Sequence, residues 1–166
     1  DRMSYLGQQV TEMIPELKTK QAETNALPLI SIYDSPLSMR EWYRYFMSEV
    51  KSGEEMLVWS TVTGWQSLDS EFYDDFVQFK TSNRITTKVI APETQEAENA
   101  IQKYASTYQQ FKLIKDWWQT PAEKWVWRDH VCILTIKENA TNMIVIESAA
   151  YAAIERFDFE RIWETL

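Results

Sequence analysis

The chain has one histidine and one cysteine, His130 and Cys132, two residue types that often carry nucleophilic catalysis. Cys132 lies in the apolar stretch "VCILTIK" at 131–137, which is typical of a β-strand. Side chains two positions apart on a strand point to the same face at about 7 Å, too far for the hydrogen bond of a catalytic pair. We therefore interpret Cys132 as a buried structural residue.

The residue types also give little support for a metal site or a phosphate-binding loop. A zinc site needs three or four ligands, and with one histidine and one cysteine it would depend on several carboxylates. The three glycines are too scattered for a phosphate-binding loop. We predict neither a metal site nor a cofactor. Among the acidic residues Glu147 is the one to retain, because it ends an apolar strand, where a side chain can point into a crevice at the sheet edge.

The composition narrows the classes of function. A net charge of −8 argues against direct nucleic-acid binding and against a polybasic membrane surface. No apolar run approaches the roughly 20 residues that span a bilayer, and the first twenty residues lack the apolar core of a signal peptide. A single cysteine excludes an internal disulfide and fits a reducing compartment, so a cytoplasmic location is expected.

The pattern along the chain predicts an α/β domain at 25–166 with a mixed β-sheet flanked by helices on both faces. The strand "MLVWST" is apolar throughout and is expected to lie at the sheet centre. Strands are predicted at 29–33, 56–61, 85–93, 112–118, 124–129, 131–137 and 142–148, and helices at 38–55, 69–83, 94–111 and 149–166.

An N-terminal helix and linker are predicted at 1–24. Apolar residues recur there at heptad spacing, at Met3, Leu6, Val10, Met13 and Leu17. This helix either packs on its own domain or is the tail of a longer dimerising helix. Because the chain begins at Asp1 and not at methionine, we expect it to be a piece of something longer.

Two aromatic groups are candidate ligand sites. After the central strand, Trp59 and Trp65 stand beside the hydroxyls of Thr61 and Thr63, a combination that suits stacking and hydrogen bonding to a sugar. The alternative is that these tryptophans belong to the core or to a dimer interface. The second group includes Trp125 and Trp127, which strand alternation places on one face, where they form either a pocket wall or part of the core or of a subunit interface. Arg128 and His130 lie nearby in the sequence and could meet an anion or a carboxylate.

Three stretches in order resemble the C-terminal regulatory region of the TrmB family of transcriptional regulators: "ISIYDSPLSMREWYRYFMSEVKSGEEMLVWST", "RITTKVIAPET" and "VCILTIKENATNMIVIESAAYAAIERFDFERIWETL". The resemblance covers about 29–166 and includes the closing pair Phe159 and Trp163. It implies a phospholipase D-like fold and a dimerising N-terminal helix. It also implies DNA contact only through an upstream winged-helix domain that this chain lacks.

Active members of that fold carry H-x-K-x-x-x-x-D and pair two such motifs. When the motif is aligned so that its histidine is His130, Cys132 occupies the lysine position and Lys137 occupies the aspartate position. The resemblance therefore implies a protein that is not an enzyme. We expect a homodimeric, effector-sensing and dimerisation domain of a TrmB-like regulator, with a sugar as one candidate effector and no membrane partner. The alternative is a free-standing protein-interaction or dimerisation module with a degenerate phospholipase D-like fold.

Overall fold

A mixed sheet forms the centre of the molecule in the computed structural model, which describes residues 27–64, 69–116, 122–136 and 141–166. The predicted N-terminal helix, with Met3, Leu6, Val10, Met13 and Leu17, lies outside the described residues, and so does Trp65. None of the helices in the described ranges combines the length and the hydropathy that a membrane span requires.

Seven strands build the sheet, in the order β1-β7-β6-β5-β2-β3-β4. β2, β3 and β4 are parallel, while β5, β6, β7 and β1 each pair antiparallel with their neighbours. The bounds are β1 Leu29–Tyr33, β2 Glu55–Trp59, β3 Thr86–Pro92, β4 Gln109–Ile114, β5 Ala122–Trp127, β6 His130–Thr135 and β7 Asn142–Glu147.

Helices cover both faces of this sheet, which confirms the predicted α/β class. In the described ranges they are α1 Pro36–Glu49, α2 Ser70–Ser82, α3 Gln95–Tyr104 and α4 Ala149–Thr165. Helices α1, α2 and α3 pack on one face, called here the α1–α3 face, and α4 packs on the other, the α4 face. β2 is buried on both, with Met56 towards α1 and α2 and Leu57 towards α4, as its apolar sequence predicts.

Aromatic rings fill the core of the α1–α3 face. Trp42 of α1 lies edge-on to Trp125 of β5 at 4.6 Å between ring centroids, and Phe46 lies edge-on to Trp127 at 4.8 Å. Such edge-to-face pairs add about 0.5–1.5 kcal/mol each beyond the area they bury. Trp125 and Trp127 thus share one face of β5, as strand alternation predicts.

The bounds of two helices differ from the sequence prediction, and α1 covers Pro36–Glu49 in place of 38–55. α1 is capped by Ser35, since the Ser35 hydroxyl accepts from Ser38 N and the Ser38 hydroxyl accepts from Ser35 N, a capping box around Pro36. α3 ends at Tyr104 instead of continuing to 111. The Ser106 hydroxyl there accepts from the backbone N–H of Tyr108 and Gln109 and turns the chain into β4.

Candidate functional site

A cavity of about 40 Å³ lies between the sheet and the helices of the α1–α3 face. Its walls are mostly apolar, with a few polar groups that converge on the interior, the usual composition of a ligand site. The lining residues are Tyr43, Met56, Val58, Ser60, Val62, Tyr73, Phe76, Val77, Lys80, Thr87, Val89, Tyr104, Gln109, Phe111, Glu123 and Trp125.

Lys80 is the cationic side chain of this cavity. It lies on α2 four residues after Phe76, and only 5% of it is exposed. Its ammonium lies 4.7 Å from the centroid of the Phe76 ring and has no hydrogen bond or ion pair with any residue that the structure describes. Burial without a compensating anion lowers the pKa of Lys80 to about 7. The side chain therefore changes charge near neutral pH.

Glu123, near the start of β5, is the acidic side chain of the same cavity. It is 8% exposed and accepts hydrogen bonds from Thr61 Oγ1 at 2.8 Å and Ser60 Oγ at 3.2 Å. Backbone groups of Thr61 and Gly64 add to these. Burial raises the pKa of Glu123, and the hydrogen bonds offset only part of that effect.

The loop that follows β2 wraps around this carboxylate in a strained conformation. Val62 has a φ of 69°, in the left-handed region that β-branched residues rarely adopt. Gly64 has no space for a side chain, because a Cβ there would collide with Ile136 Cδ1 and lie 2.7 Å from Glu123 Oε1. Strain of this kind is retained where surrounding contacts enforce it, often at functional sites.

The first predicted ligand group consists of Trp59, Thr61, Thr63 and Trp65, and only part of it lies close to this cavity. Thr61 binds Glu123, whereas Thr63 is exposed. Trp59 lies on the α4 face, 3% exposed, with its ring 5.3 Å from that of Phe159. It also borders an open depression of about 570 Å³ on that face, together with Lys124, Phe157, Asp158, Arg161 and Ile162.

The second predicted group lies at the opposite end of the sheet. Strand pairing fixes this, since Trp59 at the end of β2 opposes Lys124, whereas Trp127 at the other end of β5 opposes His130, which in turn opposes Glu147. The two groups of predicted ligand residues therefore do not form one site.

Arg128 has a carboxylate partner within its own chain. Its Nε and Nη2 both donate to Glu54, at distances from 2.6 to 3.2 Å, and Trp127 Nε1 donates to Glu54 Oε2 at 2.6 Å. Burial alone would raise the pKa of Glu54, but the hydrogen bonds from Arg128 and Trp127 outweigh it and the net direction is down. The carboxylate that Arg128 meets is thus structural.

His130 and Cys132 are both held in the aromatic core. The His130 ring stacks on Trp127 at 5.3 Å and lies 6.0 Å from Trp42, and its Nε2 is 3.9 Å from Glu147 Oε2. Its Nδ1 is buried without a hydrogen-bond partner in the described part of the chain. Cys132 is fully buried, and burial raises the pKa of its thiol, which confirms its structural interpretation and makes it a poor nucleophile.

The sequence prediction missed Lys80 and Glu123. For Lys80 a local signal existed, since it follows Phe76 by four residues and Val77 by three and so lies on the buried stripe of α2. For Glu123 the local signal is weak: alternation along "AEKWVW" places it on the same face as Trp125 and Trp127.

Comparison with known proteins identifies related folds. TrmBL2, described as an archaeal chromatin protein with a novel mode of DNA binding, is 12% identical with a TM-score of 0.53, and the match covers 99% of this chain and 63% of TrmBL2. NucT from Helicobacter pylori is 11% identical with a TM-score of 0.59, over 83% of this chain and 97% of NucT. No family model and no curated protein matches the sequence.

The chain thus spans less than two thirds of the TrmBL2 chain that it matches. At 11–12% identity these similarities concern the fold and not the activity. The chain has an α/β fold similar to those of TrmBL2 and NucT.

Proposed function

We propose that this chain is a non-enzymatic, effector-sensing and dimerisation domain of a TrmB-like regulator, and that its effector binds in the cavity between Lys80 and Glu123. The observation that carries the proposal is a cavity lined by a buried lysine that has no counter-ion in the described ranges. Contact with DNA, which the description of TrmBL2 reports for that protein, would belong to a part of the regulator outside this chain.

A sensing role needs a ligand that binds one arrangement of the domain better than another. The cavity suits this requirement because its walls come from α1, α2 and α3 as well as from the sheet. A ligand there would contact three helices at once through Tyr43, Lys80 and Tyr104. Any change in their packing would be transmitted along α1 to β1, the strand that directly precedes it at the edge of the sheet.

The reactive residue types support a role without catalysis. The chain has a single histidine, whereas the resemblance to the phospholipase D-like fold implies two for bond cleavage. His130 is enclosed by the rings of Trp42, Tyr45 and Trp127, which leaves little room for a substrate.

A thermal-shift screen of sugars, nucleotides and small organic acids tests the sensing role. A ligand present at 100 times its Kd adds about 2.7 kcal/mol of stability, which for a domain of this size raises Tm by about 5–10 °C. We expect one chemical class to do so. A screen without any stabilising compound would refute the sensing role, and phosphodiester cleavage that His130→Ala abolishes would refute the absence of catalysis.

Dimerisation is supported by the exposed edge of the sheet. Ile30 and Ile32 of β1 are 60% and 69% exposed in the described structure and lie beside Ile144 and Ile146 of β7. An edge strand with exposed apolar side chains is a template for pairing with another chain. We propose that a second copy of this domain pairs there.

Sedimentation of the Ile32→Lys variant tests the dimer. We expect the wild type to sediment as a dimer and the variant as a monomer, because a lysine on the edge strand blocks pairing. Phe157→Lys, which replaces a similarly exposed apolar residue on α4, should remain dimeric. A monomeric wild type would favour the alternative of a free-standing interaction module.

A further inference from the structure

We propose that the ligand of the cavity is a short-chain monocarboxylate, whose carboxylate binds the Lys80 ammonium and whose alkyl part lies against Val58, Val62 and Val89. This inference rests on the proposed function and names the chemical class of its effector.

The charge of Lys80 calls for an anion. Only 5% of this residue is exposed, a desolvated ammonium is costly unless it is paired and hydrogen-bonded, and no described residue pairs with it. Gln109 stands in the same cavity, 2% exposed, and donates through Nε2 to Thr87 Oγ1 at 3.1 Å. The amide carries a second N–H that has no acceptor in the described ranges and is a further donor for a carboxylate.

The volume restricts the ligand to a small molecule. A cavity of 40 Å³ accommodates roughly three water molecules. Acetate or propionate is of this size, whereas a monosaccharide or a nucleotide is far larger. The sugar suggested by the sequence therefore does not fit this cavity.

The walls favour a monoanion with an apolar part. Val58, Val62, Val89 and Phe111 line the cavity and match an alkyl chain. Glu123 lies in the same wall and would repel the second charge of a phosphate dianion. A halide would pair with Lys80 but would leave these apolar side chains without a partner.

Binding of this kind is coupled to protonation. Because the pKa of Lys80 is about 7, a carboxylate binds mainly the form present at lower pH, and the apparent affinity falls about tenfold from pH 6 to pH 8. The other titratable groups of the cavity are Tyr43 of α1, Tyr73 of α2, Tyr104 of α3 and Glu123 of β5.

Burial raises the pKa of each of these tyrosines, so they stay neutral in this range. Burial also raises the pKa of Glu123. Deprotonation of Glu123 repels a carboxylate ligand, so it weakens binding as the pH rises, as deprotonation of Lys80 does. A Lys80 variant separates the two contributions.

Isothermal titration with acetate, propionate, hexanoate and inorganic phosphate, at constant ionic strength and at pH 6 and pH 8, tests the inference. We expect propionate to bind the wild type at pH 6 and to bind about tenfold more weakly at pH 8. In Lys80→Met, propionate binding should fall at least tenfold. Lys51→Met, which removes an exposed lysine, should bind as the wild type does, and hexanoate should be excluded by size.

Propionate binding that is unchanged in Lys80→Met, or phosphate binding as strong as that of propionate, would overturn the inference. If these acids fail while another class of compound stabilises the protein in the thermal-shift screen, the ligand class is wrong and the sensing role stands. If no compound binds, both proposals are refuted.

Discussion

Lys80→Met is expected to raise the free energy of unfolding at pH 6 by about 3–5 kcal/mol, because it replaces a desolvated ammonium by an apolar side chain of similar length. The pKa of Lys80 falls from 10.5 to about 7 on folding. That difference corresponds to roughly 5 kcal/mol of penalty for holding the charge in the interior.

The extra stability of the Lys80→Met variant over the wild type should disappear as the pH rises. The unfolded chain keeps the Lys80 proton up to about pH 10.5, whereas the folded chain releases it near pH 7. Between these values the unfolded state binds more protons, so Lys80 makes wild-type stability increase with pH, while below pH 7 the full penalty applies. The variant lacks this dependence, and the two proteins should converge near pH 10.

Urea denaturation of both proteins at pH 6, 8 and 10 measures this difference. Deprotonation of tyrosines in the unfolded state affects both proteins alike and cancels. Lys51→Met, at an exposed position, should change stability by less than about 0.5 kcal/mol at every pH. A Lys80→Met variant that is less stable than the wild type at pH 6 would mean that the ammonium is not desolvated.

Glu123→Ala is expected to lower the free energy of unfolding by about 3–4 kcal/mol at pH 7. The substitution enlarges the cavity and removes the acceptor of the Ser60 and Thr61 hydroxyls and of the backbone at Gly64. These contacts hold the loop in which Val62 has a positive φ. Without them the loop should relax, and amide hydrogen exchange at Thr61 and Gly64 should accelerate.

Glu123→Gln separates the carboxylate charge from the hydrogen bonds. Because burial raises the pKa of Glu123, its favourable contribution is present below the unfolded value of 4.5 and is lost as the pH rises through the folded value. Glutamine keeps one oxygen acceptor and carries no charge that must be held in the interior. Glu123→Gln should therefore lower the free energy of unfolding at pH 7 by less than Glu123→Ala does. Glu147→Ala, at a half-exposed side chain, is the control. An equal effect at Glu123 and Glu147 would contradict the role of the buried carboxylate.

The strands and the faces of the sheet were predictable because their signals are local. β2 is apolar on both sides, and Trp125 and Trp127 alternate onto one face, so short stretches of sequence contain the information. The end of α3 was missed because its apolar spacing continues to Tyr108, while the Ser106 hydroxyl redirects the backbone.

The site was less predictable because its partners are distant along the chain. Thr61 and Glu123 are separated by 62 positions, and Glu54 and Arg128 by 74. Nothing local shows that Arg128 is paired with Glu54, or that the hydroxyl of Thr61 binds a buried carboxylate and not solvent. Lys80 resembles any lysine at a helix end until the packing of α2 against β3 is known.

The central claim is that this domain reports a ligand in its interior and does not react at His130. Methyl and indole NMR spectra, recorded with and without the strongest stabiliser from the screen, test it most directly. We expect shifts at the Met56 methyl and the Trp125 indole, which line the cavity, with smaller changes at Trp127 beside His130. Shifts confined to Trp127, with Met56 and Trp125 unchanged, would contradict it.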